Sequence, residues 1–399
     1  MVQKKTVFTG QESSADREAG LPGHDDNELT LEGNFENYDF IKPEVPVVQL
    51  GIGTVGMELI KKVSSWNRSS SSRPKYRHVG LADKSGLVSR KAGFSEEELD
   101  TIKQNKVEGR ELSDLYPGDI GNIGFLESFL GEMDRGVLVD VTDAKEFEDL
   151  YRIALDRGWS VVLANKIPLT KIEPGEFVRL KKSGLRYETT VGAGLPVIST
   201  LDHLRRHGEK FKEIAAILSG SLSYILSQLE LGVGLKRAVI EAKQKGFTEP
   251  NPAEDLLGKD VARKTVILGR SLGLGFSIDD IELEPLIPLD ETRPSMDKLT
   301  EVLEDAASDF RKKMDSAREH ENRLRYVARI NGKGASVGLE EVSKDGPLGQ
   351  GISTANVVLF RTRNYDNPPL VVQGPGAGPA VTAGGIFSDI KRCRARCRC

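Results

Sequence analysis

A six-residue glycine motif, Gly51-Ile52-Gly53-Thr54-Val55-Gly56, stands directly after the short β-branched stretch Val45 to Leu50 and restricts the fold more than any other feature. A stretch of that kind reads as a buried parallel strand. Thr54 to Ser65 then carries apolar residues at Val55, Leu59, Ile60 and Val63, the spacing of a helix. Strand, glycine turn and helix in this order form the G-x-G-x-x-G dinucleotide fingerprint. The first glycine permits the tight turn, the second lets backbone approach a pyrophosphate, and the third lets helix and strand pack closely. The phosphates then rest on the helix N-terminus. Cofactor contacts are expected from Gly51, Gly53, Thr54, Val55 and Gly56. A glycine turn without a ligand is the competing reading, and the strand–turn–helix context argues against it.

The same grammar continues downstream. His78 to Asp83, Val137 to Val141 and Ser160 to Ala164 read as strands, with a helix over Lys145 to Arg157. Alternation of this kind predicts βαβ units and an α/β, Rossmann-type parallel sheet. Asp83 ends the second strand, where a carboxylate accepts from the adenosine 2'-hydroxyl of NAD. The serine-rich stretch before Pro74 explains its distance from the glycines. Lys84, Arg68 or Arg73 could instead hold the 2'-phosphate of NADP, so the choice between NAD and NADP stays open. From about residue 187 the pattern becomes α+β. Helices are expected over 195–207, 223–231, 251–271 and 295–320, and strands over 211–219, 324–330, 335–340, 356–360 and 370–373.

Composition narrows the function classes. Hydrophobic residues are 38%, charged residues 29% and the formal net charge is −4, values ordinary for a globular protein. No basic stripe points to nucleic acid. No apolar run approaches the roughly 18 residues that cross a bilayer. Residues 1–44 carry four basic and ten acidic side chains, the wrong sign for a transit peptide, and read as a flexible acidic extension. The three cysteines, Cys393, Cys397 and Cys399, fall in the last seven residues, so the body has no disulfide framework. A cytoplasmic protein with a frayed tail over 391–399 is expected.

Residues 242–264 carry the chemistry. Asn251-Pro252-Ala253-Glu254 reads as a helix start, with Asn as N-cap and Pro at the first position. Asp260 and Lys264 are four apart and share a helix face. Alone, they could be a surface ion pair worth a few tenths of a kcal/mol. However, Ala242, Gly246, Phe247, Thr248, Glu249, Pro252, Asp255, Leu256, Gly258, Asp260 and Lys264 together resemble the signature of the homoserine dehydrogenase family. Asn251 departs from it, since the family usually has Asp there; both cap helices, so a near-neutral exchange is expected. Val139 to Asp143, Ala164-Asn165-Lys166, Glu188 to Pro196, Ser219 to Tyr224 and Gly374 to Thr382 are similar to further family segments. Ser221 stands where Thr is more usual. The resemblance covers about 45 to 390.

The resemblance implies NAD(P)-dependent interconversion of L-homoserine and L-aspartate 4-semialdehyde, in threonine, methionine and isoleucine biosynthesis. It implies Lys264 as proton carrier, Asp260 orienting it and binding the substrate hydroxyl, and Glu249 and Asp255 receiving the ammonium group. Lys166 would assist near the hydroxyl or the nicotinamide, and Thr142 and Gly378 would add cofactor contacts. Glu188 with the backbone of Val191, Ala193 and Leu195 is similar to a monovalent-cation site for sodium or potassium; a turn in which Glu188 caps backbone amides is the alternative. The implied division is a nucleotide domain over 45–186 closed by 379–390, a substrate domain over 197–324, and a dimerisation region from 187–196 and 325–378 that makes a homodimer. The chain resembles the monofunctional form, without an aspartokinase-like segment or a regulatory domain. A catalytically inactive NAD(P)-binding regulator of the same fold is the rival, and it should have lost Lys264 or Asp260.

Overall fold

The computed structural model describes residues 44–69, 74–118, 121–133, 135–289, 294–350 and 354–393. The acidic extension before Glu44, Arg73, Cys397 and Cys399 lie outside the described residues. Two six-stranded sheets form the frame. The first runs β3-β2-β1-β4-β5-β6, from β1 (Glu44–Leu50), β2 (Lys75–Asp83), β3 (Gly86–Ser89), β4 (Val137–Asp140), β5 (Ser160–Leu163) and β6 (Leu185–Arg186). All its pairs are parallel except β2 with β3. Leu50 lies level with Ala82 on one side and Asp140 on the other. The ends of β1, β2 and β4 therefore open on one edge, where strand order reverses about β1. That is the crevice in which open α/β sheets hold ligands.

Helices cover both faces of this sheet, so its strands are nearly apolar throughout. Among them are α1 (Thr54–Ser69), α2 (Glu96–Val107) and α3 (Glu148–Asp156). The expected helix over 145–157 thus starts three residues late. Val48 and Leu50 pack with Leu138, Leu130 and Trp159, while Val45 and Val47 pack with Leu59 and Val63 of α1.

The chain then passes through α4 (Val197–Arg206), β7 (Phe211–Ile217), α5 (Gly220–Glu230), α6 (Ala253–Leu256), α7 (Lys259–Leu272), β8 (Ile281–Leu283) and α8 (Met296–Glu319). Strands β9 (Asn322–Asn331), β10 (Gly334–Ser343), β11 (Ala355–Thr362) and β12 (Leu370–Pro375) follow. The second sheet runs β12-β11-β7-β9-β10-β8 and is antiparallel except where β8 joins β10. Helices α5, α7 and α8 pack their apolar stripes on one face, against Ile214, Ala216, Tyr326, Ala328, Val358 and Phe360. Finally α9 (Pro379–Arg392) returns to α1, and Phe387 meets Trp66 and Tyr76 edge-on with centroids 5.4 Å apart. Lys391 and Arg392 thus belong to a helix, and Cys393 is buried among these residues, where a frayed tail was expected. Burial pushes the Cys393 thiol up to about 11, so it is a poor nucleophile. Among the described residues no helix is long and apolar enough to cross a membrane.

The single helix expected over 251–271 is two helices, α6 and α7, broken at Gly258. Gly258 has φ +68°, and a Cβ there would lie 2.0 Å from the Tyr326 hydroxyl oxygen. Apolar periodicity continues across the break, so only the glycine itself marks it. Asn251 accepts from the Ala253 amide (3.1 Å) and its own amide donates to the Pro294 carbonyl (3.2 Å). The second bond is closed to the family's aspartate, which has no donor when ionised. The Asn-for-Asp exchange therefore adds a tie to Pro294, two residues before α8.

His78, on β2, is buried, and burial pushes its pKa down to about 4. An unfolded histidine titrates near 6.5. Between these values the unfolded chain binds a proton that the folded one does not. Stability is therefore fully present above pH ~6.5 and is lost as pH falls toward 4, by roughly 3 kcal/mol from this group. Urea midpoints measured across that window should fall for the wild type and fall less for His78→Gln. Parallel curves would show that His78 contributes nothing to acid sensitivity.

Candidate active site

The glycine turn is built as its residue types require. Gly51 donates to the Ala82 carbonyl (2.8 Å), which ties the turn to the end of β2. A Cβ on Gly56 would lie 2.2 Å from the Gly51 carbonyl oxygen, so the third glycine permits closure of the turn on α1. A Cβ on Gly53 would meet nothing within 4 Å. The second glycine thus keeps open a space that the protein itself does not fill. Thr54 and Val55 begin α1, whose first turn has no acidic residue. Its first N–H groups lack intrahelical partners and favour an anion.

A cavity of about 1040 Å³ opens above this turn, walled by Gly51, Gly53, Asp83, Lys84, Lys106 and Thr142 among others. Asp83 is not free to meet a ribose. One carboxylate oxygen accepts from the Ser85 amide (2.8 Å) and hydroxyl (2.6 Å), the other from Lys106 (2.8 Å) and the Leu112 amide (2.9 Å). Burial opposes its charge, but the bonds from Lys106, Ser85 and Leu112 hold it well below the usual carboxylate range. Lys84 is exposed and pairs with Glu111 (3.0 Å), which Lys106 also reaches (2.8 Å). Arg68 pairs with Glu96 and is not on the cavity wall. Gly378 starts α9 with φ +126° and is not on that wall either.

Two further residues organise this edge, and sequence reasoning gave them no role. Asp140, buried at the end of β4, accepts from the Thr142 amide (2.8 Å) and hydroxyl (2.7 Å), from Asn165 (3.1 Å) and from the Tyr151 hydroxyl. Asn165 donates also to the Ala144 carbonyl (2.7 Å) and accepts from the Ile167 amide (3.1 Å). Together they set Thr142 and the backbone around Lys166. A carboxylate at the end of an otherwise apolar strand was the available signal.

Thr142 and Asp143 also line a second cavity of about 570 Å³, so the two cavities meet at these residues. Its far wall carries Lys166, Glu249, Asp260 and Arg263. Asp260, in the first turn of α7, receives Lys264 on one oxygen (2.8 Å) and Lys166 on the other (3.2 Å). Burial pushes its carboxyl upward, but Lys264 and Lys166 outweigh this and hold it well below the usual range. Lys264 is 12% exposed and donates also to the Leu218 carbonyl (2.6 Å). Asp255 accepts from the Ser221 hydroxyl (2.7 Å) and the Glu249 amide (2.9 Å), so serine supplies at 221 the hydroxyl that threonine would. Burial first, then neighbouring acids, push Glu249 and Asp255 up. Acids that repel one another in a pocket are relieved by an ammonium group. Arg263, one residue before Lys264, was not singled out from sequence.

Comparison with known proteins places the chain among relatives. The family model for homoserine dehydrogenase matches residues 196–390. A bifunctional aspartokinase/homoserine dehydrogenase of Haemophilus influenzae is 33% identical over 358 residues, 88% of this chain and 43% of that protein. The chain belongs to the homoserine dehydrogenase family. A hyperthermophilic archaeal homoserine dehydrogenase in complex with NADPH is 28% identical, with a TM-score of 0.68 over 88% of this chain and 97% of that one. A Candida auris protein of unknown function is 29% identical, with a TM-score of 0.77 over 88% and 99% of the two chains. The chain spans 43% of the length of the Haemophilus relative and 45% of a bifunctional relative from Escherichia coli.

The carboxylate of the cation site that the family resemblance implied is held by the start of α4. One Glu188 oxygen accepts from the Ile198 (2.7 Å) and Ser199 (3.2 Å) amides; the other accepts from Ser199 (3.0 Å) and Arg392 (3.3 Å). Three donors thus reach the carboxylate, with the Ser199 amide shared between its two oxygens. The Leu195 carbonyl accepts from the Val197 amide (2.8 Å). Val191 is buried, and Ala193 has φ +53° in the same turn. Glu188 thus caps α4, and the Arg392 guanidinium supplies the positive charge beside it. Burial pushes Glu188 up, against the opposing pull of its Ser199 and Ile198 bonds.

Proposed function

We propose that the chain interconverts L-homoserine and L-aspartate 4-semialdehyde with NAD(P) as hydride carrier. One observation carries the reading: the glycine-turn cavity and the acidic pocket adjoin at Thr142 and Asp143, with Lys166 and Asp260 on the far wall and Lys264 bonded to Asp260. The NADPH bound to the archaeal neighbour supports a nicotinamide dinucleotide in the first cavity. Its nicotinamide would take the hydride from the alcohol carbon or return it to the aldehyde carbon.

The rest falls to side chains. Glu249 and Asp255 receive the substrate ammonium, relieving their mutual repulsion. Asp260 accepts from the substrate hydroxyl and keeps Lys264 and Lys166 beside that oxygen. On reduction the Lys264 ammonium gives a proton from Nζ to the carbonyl oxygen; on oxidation the neutral amine, left after that proton has gone to solvent, takes the hydroxyl proton. Lys166 adds positive charge where the oxygen becomes negative. Gly51, Gly53 and the first turn of α1 hold the pyrophosphate, and Thr142 completes the cofactor contacts. Because every Asp83 acceptor is occupied and Lys106 is held between Asp83 and Glu111, exposed Lys84 on the cavity wall is the group available to a 2'-phosphate.

The test follows absorbance of reduced nicotinamide with homoserine and either NAD or NADP. No change with either refutes the proposal. The inactive regulator has no support in a site where Lys264 and Asp260 are both present and 2.8 Å apart. We further propose a cytoplasmic location, the nucleotide, substrate and dimerisation regions as divided above, and a homodimer through the second sheet. On the sheet face opposite the helices, Ala215, Ile217, Val327, Val357 and Leu359 are already buried within the chain with Leu348, and the half-buried Val342 and Val371 at their edge are the apolar groups left for a partner. Light scattering that shows a monomer at working concentration would overturn the dimer.

A further inference from the structure

We propose that Gln49 and His78 are positioning residues for dinucleotide binding, acting from beneath the glycine turn; this rests on the dinucleotide reading above. Gln49 is 0% exposed at the last position but one of β1, where its neighbours Val47, Val48 and Leu50 are apolar. Its amide nitrogen donates to the Gly51 carbonyl (2.9 Å) and to the Gly56 carbonyl (3.0 Å). One side chain thus ties the first glycine of the motif to the third.

Both amide hydrogens are then spent, so the carboxamide oxygen has one direction left to face. It lies 3.2 Å from Nε2 of His78, on the adjacent strand β2. An oxygen cannot donate, so the imidazole donates from Nε2. The burial that keeps His78 neutral leaves this donor in place. The order is imidazole to carboxamide to two backbone carbonyls.

The consequence for the ligand follows from peptide geometry. A trans peptide carries its C=O and N–H on opposite sides. Holding the Gly51 carbonyl on Gln49 therefore fixes the direction of the Ile52 N–H, and Ile52 lines the dinucleotide cavity. The tie to Gly56 fixes the first turn of α1 relative to β1. A Cβ on Gly56 would lie 2.9 Å from the Gln49 amide nitrogen, so the turn closes directly on this group. An apolar residue would fill the same space in β1, but it would take the side-chain donor from the Gly51 carbonyl, cut the tie to Gly56 and leave the turn free to rotate its peptides.

The proposal is tested by titrating NADPH and NADH into purified full-length protein, with steady-state KM values for cofactor and homoserine. Gln49→Leu should weaken dinucleotide binding about tenfold or more, the worth of one or two hydrogen bonds. The homoserine KM should stay within about twofold of wild type, because its pocket lies beyond Thr142. His78→Gln keeps a donor toward Gln49 and should retain wild-type cofactor KM, whereas His78→Phe should raise it. Equal cofactor affinity in Gln49→Leu, a parallel rise in both KM values, or equal behaviour of the two His78 variants would overturn the proposal. If Gln49→Leu does not fold, the His78 pair decides. A wild-type protein that binds neither dinucleotide would instead reject the reading on which this rests.

Discussion

In a Lys264→Ala enzyme, turnover is expected to fall roughly 10²–10⁴-fold, the usual worth of a positioned acid or base. Lys264 is nearly enclosed and held by the Leu218 carbonyl and by Asp260, which lines the acidic pocket. Removing it deletes the proton carrier and leaves the glycine turn untouched. NADPH affinity should therefore survive, and the homoserine KM should change less than kcat. Asp260→Ala acts on two lysines at once, since each of its oxygens holds one. A larger share of its loss is expected in homoserine KM, because the hydroxyl loses its acceptor. A surface ion pair would contribute only a few tenths of a kcal/mol, and its removal would leave kcat unchanged. Steady-state kinetics of the two variants, with folding checked by circular dichroism, separates these cases. A folded Lys264→Ala enzyme with near-wild-type turnover would defeat the mechanism while leaving the family assignment standing.

Gly53→Val is expected to weaken dinucleotide binding roughly 10–100-fold, the cost of 1–3 kcal/mol that overpacking usually imposes. The fold should tolerate it. No protein atom lies within 4 Å of a Cβ at Gly53, and the residue is exposed. The only thing displaced is a ligand that lies on the backbone. Gly56 makes the contrast, since a Cβ there overlaps the Gly51 carbonyl and disturbs the turn itself. Fluorescence titration of NADPH with parallel thermal unfolding reads both effects. Unchanged affinity in Gly53→Val would place the pyrophosphate elsewhere.

The sequence by itself determined whatever depends on neighbours in the chain. The β1–turn–α1 unit was legible because strand period, glycines and helix period occupy consecutive residues. Asp260 and Lys264 were legible as a pair because one turn of α7 separates them. The broken helix was not, because a left-handed residue at Gly258 is required by Tyr326, which belongs to a strand of the second sheet. Tertiary structure alone brought Lys166, from the end of β5, onto the second oxygen of Asp260. It also withdrew Asp83 from the ligand by giving all its acceptors to Lys106, Ser85 and Leu112, and set Arg392 beside Glu188 where a cation was expected. The physical reason is the same in each case. A carboxylate's role is decided by which donors reach it, and those donors arrive from distant segments through packing that no local pattern records.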